Sequence, residues 1–346
     1  MIFVALWDKY GKLIMIISMV IMLVVGFYVG YIYGYNDGYN IGFYGASLNV
    51  FRVVHAGSLT IPFQQIEGML KNKYPNLVID DEAFGSVDAV RQVTDLGREF
   101  DIVGVADYYV IRDLMLPRFT SWYIVFAGNE MVVLYTNRSK YASEIDENNW
   151  YKIIARPGVI VGVSDKDRDP SGYRAVLVTK LASMYYYHDN HTLYDMLYKN
   201  KYSNGELIIK PKEVDLLAPL ESGQVDYVIS YYSLAVQHHL NYVRLPPQVN
   251  LGDPRYAEIY SEVSVTVNGK VVSGQPIMYA LTIPYNAPNK RLAIEFIKIL
   301  LSEEGRKIIE KNGQKSFSPA YVYGSEGLPS ELKDLLYTGL ITPISG

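Results

Sequence analysis

The sequence has no cysteine, five histidines and three tryptophans in 346 residues. Without cysteine there is no disulfide framework, no thiolate nucleophile, no thiolate-ligated zinc or iron–sulfur cluster and no lipidated cysteine anchor. Five histidines leave little material for a histidine-rich catalytic metal centre. A basic excess is missing as well: 32 Lys and Arg stand against 36 Asp and Glu, a net charge of −4, whereas a nucleic-acid binder needs a basic face. No internal repeat is visible. At 49% hydrophobic and 20% charged residues, disorder and collagen-like composition are excluded, and the length accommodates two packed domains.

Tyrosine is abundant, with 32 residues, which suits a surface exposed outside the cytoplasm. Near the N-terminus, no residue from Leu13 to Asn36 is charged. LIMIISMVIMLVVGF (Leu13–Phe27) is almost wholly apolar, and Lys9 and Lys12 precede it. A positive flank followed by such a run marks a secretory signal or signal anchor with its N-terminus inside. Extension through Tyr33 reaches the ~20 residues that span a bilayer. Gly34 to Ser47 reads as a linker. Cleavage near Ala46 and permanent anchoring both satisfy the pattern. Residues 1–47 are therefore expected to be a signal peptide or membrane anchor plus linker, with the remainder extracytoplasmic. The sequons at Asn137 and Asn190 fall in that exported part.

The body alternates strand and helix. LNVFRVVH (Leu48–His55) is a β-branched strand, followed by a helix with Pro62 in its first turn. Strands are expected at Leu77–Ile79, Asp101–Ala106, Met131–Tyr135, Val159–Val163, Tyr227–Ile229 and Ile277–Ile283, with helices between them. Asn289 begins a long amphipathic helix with Leu292, Phe296, Ile297 and Leu300 on one face. This order implies an α/β fold with covered sheets.

Small polar residues recur where a strand gives way to a helix. Gly57-Ser58, Gly85-Ser86, Asp169-Pro170-Ser171-Gly172 and Ser230-Tyr231-Tyr232-Ser233 all stand at such junctions. Helix N-termini present free N–H groups and a positive dipole end to anions, and the crevice of an open α/β sheet lies beyond the carboxyl ends of its strands. Plain N-capping explains any one junction. Four of them in an exported, slightly acidic protein point to an oxyanion held between two lobes.

The strings HAGSLTIPF (His55–Phe63), DPSGYR (Asp169–Arg174), LESGQVDYVISYYSLAVQHH (Leu220–His239) and LLSEEGRKII (Leu300–Ile309) resemble the substrate-binding proteins of archaeal tungstate/molybdate ABC transporters. The resemblance runs from about Asn49 to Gln314. It implies the two-lobed type II periplasmic binding protein fold, closing by a hinge, with lobe 1 at 48–127 and 279–346 and lobe 2 at 128–278. It also implies a tungstate or molybdate ligand with no further cofactor, permease and ATPase subunits as partners, and no catalysis. Ser58, Ser86 and Ser171 would offer hydroxyl and backbone N–H groups, Tyr231 its phenol, and the helix start near Glu213–Val214 a further N–H. Asp169 is the position at which archaeal members set a carboxylate against the metal of the oxyanion. A second carboxylate is expected immediately before the tyrosine, where this chain has Ser230. On this reading Asp169 is the lone carboxylate at the metal.

Asp169 also discriminates among ligands. An unpaired carboxylate repels a dianion such as sulfate. Phosphate can give it a proton, and molybdenum or tungsten can expand its shell to bond the oxygen. Phosphate or sulfate binding is the alternative reading. A membrane-anchored hydrolase built on Ser58, His55 and Asp169 is a further one, although no G-x-S-x-G elbow surrounds Ser58. A sensory ectodomain that binds no small anion is the last.

Overall fold

The computed structural model describes residues 50–344, together with Val24 and Val25. The signal or anchor expected over 1–47 otherwise lies outside the described residues, among which no helix is long and apolar enough to cross a membrane.

Strands β1 (Val50–Ala56), β2 (Val78–Phe84), β3 (Ile102–Val105) and β4 (Tyr123–Asn129) come first in the chain. They are followed by β5 (Met131–Tyr135), β6 (Val161–Ser164), β7 (Leu207–Lys210), β8 (Tyr227–Tyr231) and β9 (Asn241–Arg244). The last are β10 (Ser264–Val267), β11 (Lys270–Ser273), β12 (Ile277–Thr282), β13 (Lys315–Tyr323) and β14 (Ile341–Pro343). Seven of them form one sheet in the order β14-β13-β4-β12-β3-β1-β2, five form a second in the order β7-β6-β8-β5-β9, and β10–β11 is a separate hairpin. The chain passes from the first sheet to the second through Glu130 alone, between β4 and β5, and after β9 it returns by way of the β10–β11 hairpin to β12.

In the first sheet β1 runs parallel to β2 and β3, and parallel neighbours need crossover helices. Two of these are α1 (Thr60–Lys73) and α2 (Ser86–Thr94), and α3 (Tyr108–Leu114) follows β3. Pro62 sits in the first turn of α1, where its missing N–H is harmless, and Phe63, Ile66 and Leu70 bury its inner face. The second sheet carries α4 (Pro170–Tyr187), which buries every residue from Pro170 to Thr179. The C-terminal amphipathic segment returns to the first sheet as α5 (Lys290–Leu301). Its Phe296 ring lies 5.7 Å from Phe51 and 5.1 Å from Phe63. The helix does not continue as one rod: Ser302 turns extended and caps the N–H of Gly305, starting α6 (Glu303–Lys311).

One junction differs from expectation. The strand expected to end at Ile229 runs on through Tyr231, because β5 pairs β8 along its full length, Met131 opposite Tyr231 and Val132 opposite Ser230. Ser230 and Tyr231 are strand residues rather than helix-start residues.

Among the buried groups of the first lobe is Glu67 on α1, 4% exposed, with Oε1 lacking any partner. Burial, with Asp81 adding to it, pushes its carboxyl up to about 8. The folded chain therefore holds a proton that the unfolded chain, with an ordinary glutamate near 4.3, gives up. Stability is full below that ordinary value and falls as pH rises towards about 8. We expect Glu67→Gln to match the wild type at pH 4 and to exceed it by roughly 3–5 kcal/mol above pH 8, since each tenfold change in proton affinity corresponds to about 1.4 kcal/mol. Denaturant unfolding of both proteins at the two pH values measures this, and a constant difference between them would refute it.

Candidate functional site

Ser58, Ser86, Asp169, Ser171, Ser230 and Tyr231 are all buried, each at 0 or 1% exposure. They lie at or just beyond the carboxyl ends of β1, β2, β6 and β8. The structure brings them together through linked hydrogen bonds. Tyr279 donates to Ser58 Oγ at 3.0 Å, and Ser58 N donates to Glu213 Oε1 at 2.8 Å. Glu213 N donates to Asp169 Oδ2 at 2.8 Å, and Asp169 Oδ1 accepts from Ser171 N at 3.1 Å. The hydroxyls of Ser171 and Ser230 are 3.2 Å apart. A second branch joins Arg174 Nη1 to Tyr231 Oη at 2.9 Å and to the Ala106 carbonyl at 2.7 Å, while Ala106 N donates to Ser86 Oγ at 3.0 Å.

These bonds correct two expectations. The N–H groups of Ser58 and Ser171 are not free: carboxylate oxygens of Glu213 and Asp169 already accept from them. Nor is Asp169 a lone carboxylate. Glu213, assigned only a backbone N–H from the sequence, turns its buried side chain across to the loop of the first lobe, and the two acid groups interact. Burial, then the neighbouring Asp169, holds the Glu213 carboxyl well above its ordinary range. Burial also raises Asp169, against the backbone N–H groups that favour its charged form. Two acids this close cannot both ionise cheaply where they are buried. Asp169 is at once the N-cap of α4 and a member of this pair.

The donor inventory is more telling than the N–H groups. Each hydroxyl has one proton to give and can also accept. Ser58 Oγ, Ser86 Oγ and Tyr231 Oη each accept from the protein, and none of the three has a protein acceptor for its own proton among the described residues. The Ser171–Ser230 pair uses one proton in its mutual bond and keeps another. Four hydroxyl protons are thus left over in a buried site.

Glycines let the two halves meet. A Cβ on Gly85 would stand 2.5 Å from the Arg168 carbonyl oxygen, and one on Gly57 would stand 3.0 Å from Val214 Cγ1. Gly172 is needed within its own lobe, where a Cβ would come 2.4 Å from the Ser164 carbonyl oxygen. Further bonds cross between the sheets: Tyr173 to Asp107, Arg168 to Asp88, and Lys212 Nζ to the Ala83 carbonyl at 3.1 Å. Arg174 Nη2 also lies 3.1 Å from Asp107 Oδ2, both groups buried. Asp107 and Arg174 are functional neighbours absent from the residues expected at the site. Asp107 was findable: it follows β3 after Ala106 and caps α3 through Tyr109 N, a fifth junction of the kind already singled out.

The hydrolase constellation does not form. His55 is fully buried, with Nδ1 on the Ala56 carbonyl at 2.8 Å and Nε2 on Asp81 at 2.5 Å. Both ring nitrogens are thus taken by groups other than Ser58 and Asp169.

Comparison with known proteins agrees with this architecture. A solute-binding protein of Petrotoga mobilis, uncharacterized by its name, is 49% identical over 83% of this chain and 90% of its own length. The molybdate/tungstate-binding protein WtpA of Pyrococcus abyssi is 42% identical over 82% of this chain and 89% of its own. Among solved structures, the periplasmic molybdate-binding protein of Azotobacter vinelandii superposes with a TM-score of 0.56 at 15% identity, covering 76% of this chain and 98% of that one. That likeness shows the α/β two-lobed periplasmic binding protein fold. Residues 51–315 match the family described as bacterial extracellular solute-binding protein, and with relatives of this identity and coverage the chain belongs to that family.

Proposed function

We propose that this chain captures molybdate or tungstate in the cleft between its lobes, outside the cytoplasm, and delivers it to the permease and ATPase subunits of an ABC importer. Lobe 1 is 48–127 with 279–346, lobe 2 is 128–278, and the two crossings at Glu130 and at 274–276 form the hinge. The N-terminal segment would tether the protein to the membrane or direct its secretion.

The observation that carries this reading is the set of four unused hydroxyl protons, from Ser58, Ser86, Tyr231 and the Ser171–Ser230 pair, drawn from both lobes. Such a set fits a tetrahedral oxyanion. The names of the relatives at 42% identity support the choice of metal. Hydrogen bonds to a charged group contribute ~1.5–3 kcal/mol each. Four give roughly 6–12 kcal/mol, which spans the interval around micromolar to nanomolar affinity. The carboxyl pair selects among anions. Sulfate neither carries a proton to give nor expands its shell, so the pair works against it. Phosphate can share a proton with the pair, which makes it the serious rival.

Two outcomes follow. Calorimetry with tungstate, molybdate, sulfate and phosphate should show the first two bound tightly and sulfate at least a hundredfold more weakly, about 2.8 kcal/mol. Phosphate binding most tightly would overturn the assignment. Gly85→Ala should weaken tungstate binding at least tenfold, about 1.4 kcal/mol, because the added methyl stands in the way of Arg168 when the lobes close. Gly85 has φ −68 and ψ 147, which alanine adopts freely, so the melting temperature without ligand should stay unchanged. Unaltered affinity in this variant would remove closure from the mechanism.

A further inference from the structure

The hydroxyl of Ser58 ends a chain of hydrogen bonds that starts at the hinge. Asn129, a buried residue, is the last of β4 and stands next to Glu130, through which the chain crosses to the second lobe. Its Oδ1 accepts from the Glu130 backbone N–H at 2.9 Å. A backbone N–H can only donate, so it fixes the amide with its oxygen on that side and its nitrogen on the other. The amide hydrogens then go to Ser233 Oγ and Tyr279 Oη, each at 2.8 Å. Tyr279 is fully buried, and burial pushes its phenol up to about 12, so it stays neutral with one proton to place. Its oxygen already faces an N–H, and the proton goes to Ser58 Oγ at 3.0 Å. Ser58 Oγ is thereby an acceptor, and its own proton has no protein acceptor among the described residues.

Resting on the proposed oxyanion reading, we infer that Asn129 is a positioning residue for the ligand: acting through Tyr279, its amide makes the Ser58 hydroxyl a donor, and the Glu130 N–H at the hinge sets the direction of that amide. A serine hydroxyl by itself gives or accepts, whereas an oxyanion without protons offers only acceptors. Every bond in the chain runs from the hinge towards the ligand, so reversing the first member reverses the last.

Calorimetry with tungstate tests this. Asn129→Asp keeps the shape and an acceptor for Glu130 N, but has no hydrogen to give. Tyr279 then donates to the new carboxylate, Ser58 donates to Tyr279, and a lone pair meets the ligand. Affinity should fall roughly thirtyfold, the scale of one lost hydrogen bond to a charged group. Tyr279→Phe cuts the relay and lets Ser58 turn its proton to the ligand, so its loss should stay below about fivefold. The decisive measurement is the double variant, which should bind tungstate about tenfold more tightly than Asn129→Asp alone, because nothing then reverses Ser58. Repulsion by the new charge, or general damage to the hinge, would instead compound the two losses. A double variant no tighter than Asn129→Asp therefore refutes the relay. Asn129→Leu removes the donor without adding charge, and it serves if the acidic variant does not fold. It should weaken binding in the wild-type background and add nothing to Tyr279→Phe, and equal losses in both backgrounds would overturn the proposal. A wild-type chain that binds neither tungstate nor molybdate would instead overturn the underlying reading, before any variant is made.

Discussion

The bond from Ser58 N–H to the Glu213 carboxylate joins two sheets that the chain itself connects at Glu130 and again through the segment from β9 to β12. An acceptor from one lobe satisfies a donor at the start of a helix in the other, where the dipole favours negative charge. The rest of the site is arranged around that contact. Asp169 holds the Glu213 backbone in place, Ser171 is held by Asp169, and glycines at 57 and 85 allow the surfaces to approach. A single acidic side chain so placed links the two α/β layers across their facing surfaces.

Enclosing acids is unfavourable unless something offsets it. Here the offsets are local. Backbone N–H groups at Ser58, Ser171 and Glu213 face the carboxylates, and the Arg174 guanidinium lies within the same buried network, between Tyr231 and Asp107. The positive charge is not directed at a carboxylate of the acid pair. It orients the phenol of Tyr231 by donating to its oxygen, which leaves the phenol proton without a protein acceptor among the described residues. One buried cation thus pairs with the Asp107 carboxylate and also donates to a neutral phenol.

Much of this architecture was legible in sequence. The β1–Ser58–α1 junction, the Asp169 cap with Pro170 behind it, and the apolar face of Lys290–Leu301 carry local signals: β-branched runs, capping residues and helical spacing. What escaped depends on contacts distant along the chain. Glu213 stands in KPKEVD, where the pattern suggests only a helix start with a free N–H, and its side chain finds its partner in the distant loop at 57–59. The length of β8 is set by its partner β5, about a hundred residues away in sequence. Arg174 was visible within DPSGYR, yet its acceptors Ala106 and Asp107 lie on another lobe. Local pattern identifies the junctions, and tertiary pairing decides which side chains meet there.

The crossing through Glu130 is a single residue, with β4 ending at Asn129 and β5 starting at Met131. The Asn129 amide is pinned to Ser233 and Tyr279, each at 2.8 Å. Two strands joined so tightly can bend but cannot slide past one another. Under the proposed closure, the contacts of Glu213, Tyr173, Arg168 and Lys212 with the first lobe all turn about the hinge formed by the two crossings. They would have to part together, since no translation exists to peel them away in turn. Release would then be an all-or-none event with one barrier, and the dwell time of a captured anion would be a property of the whole seam and not of any bond within it.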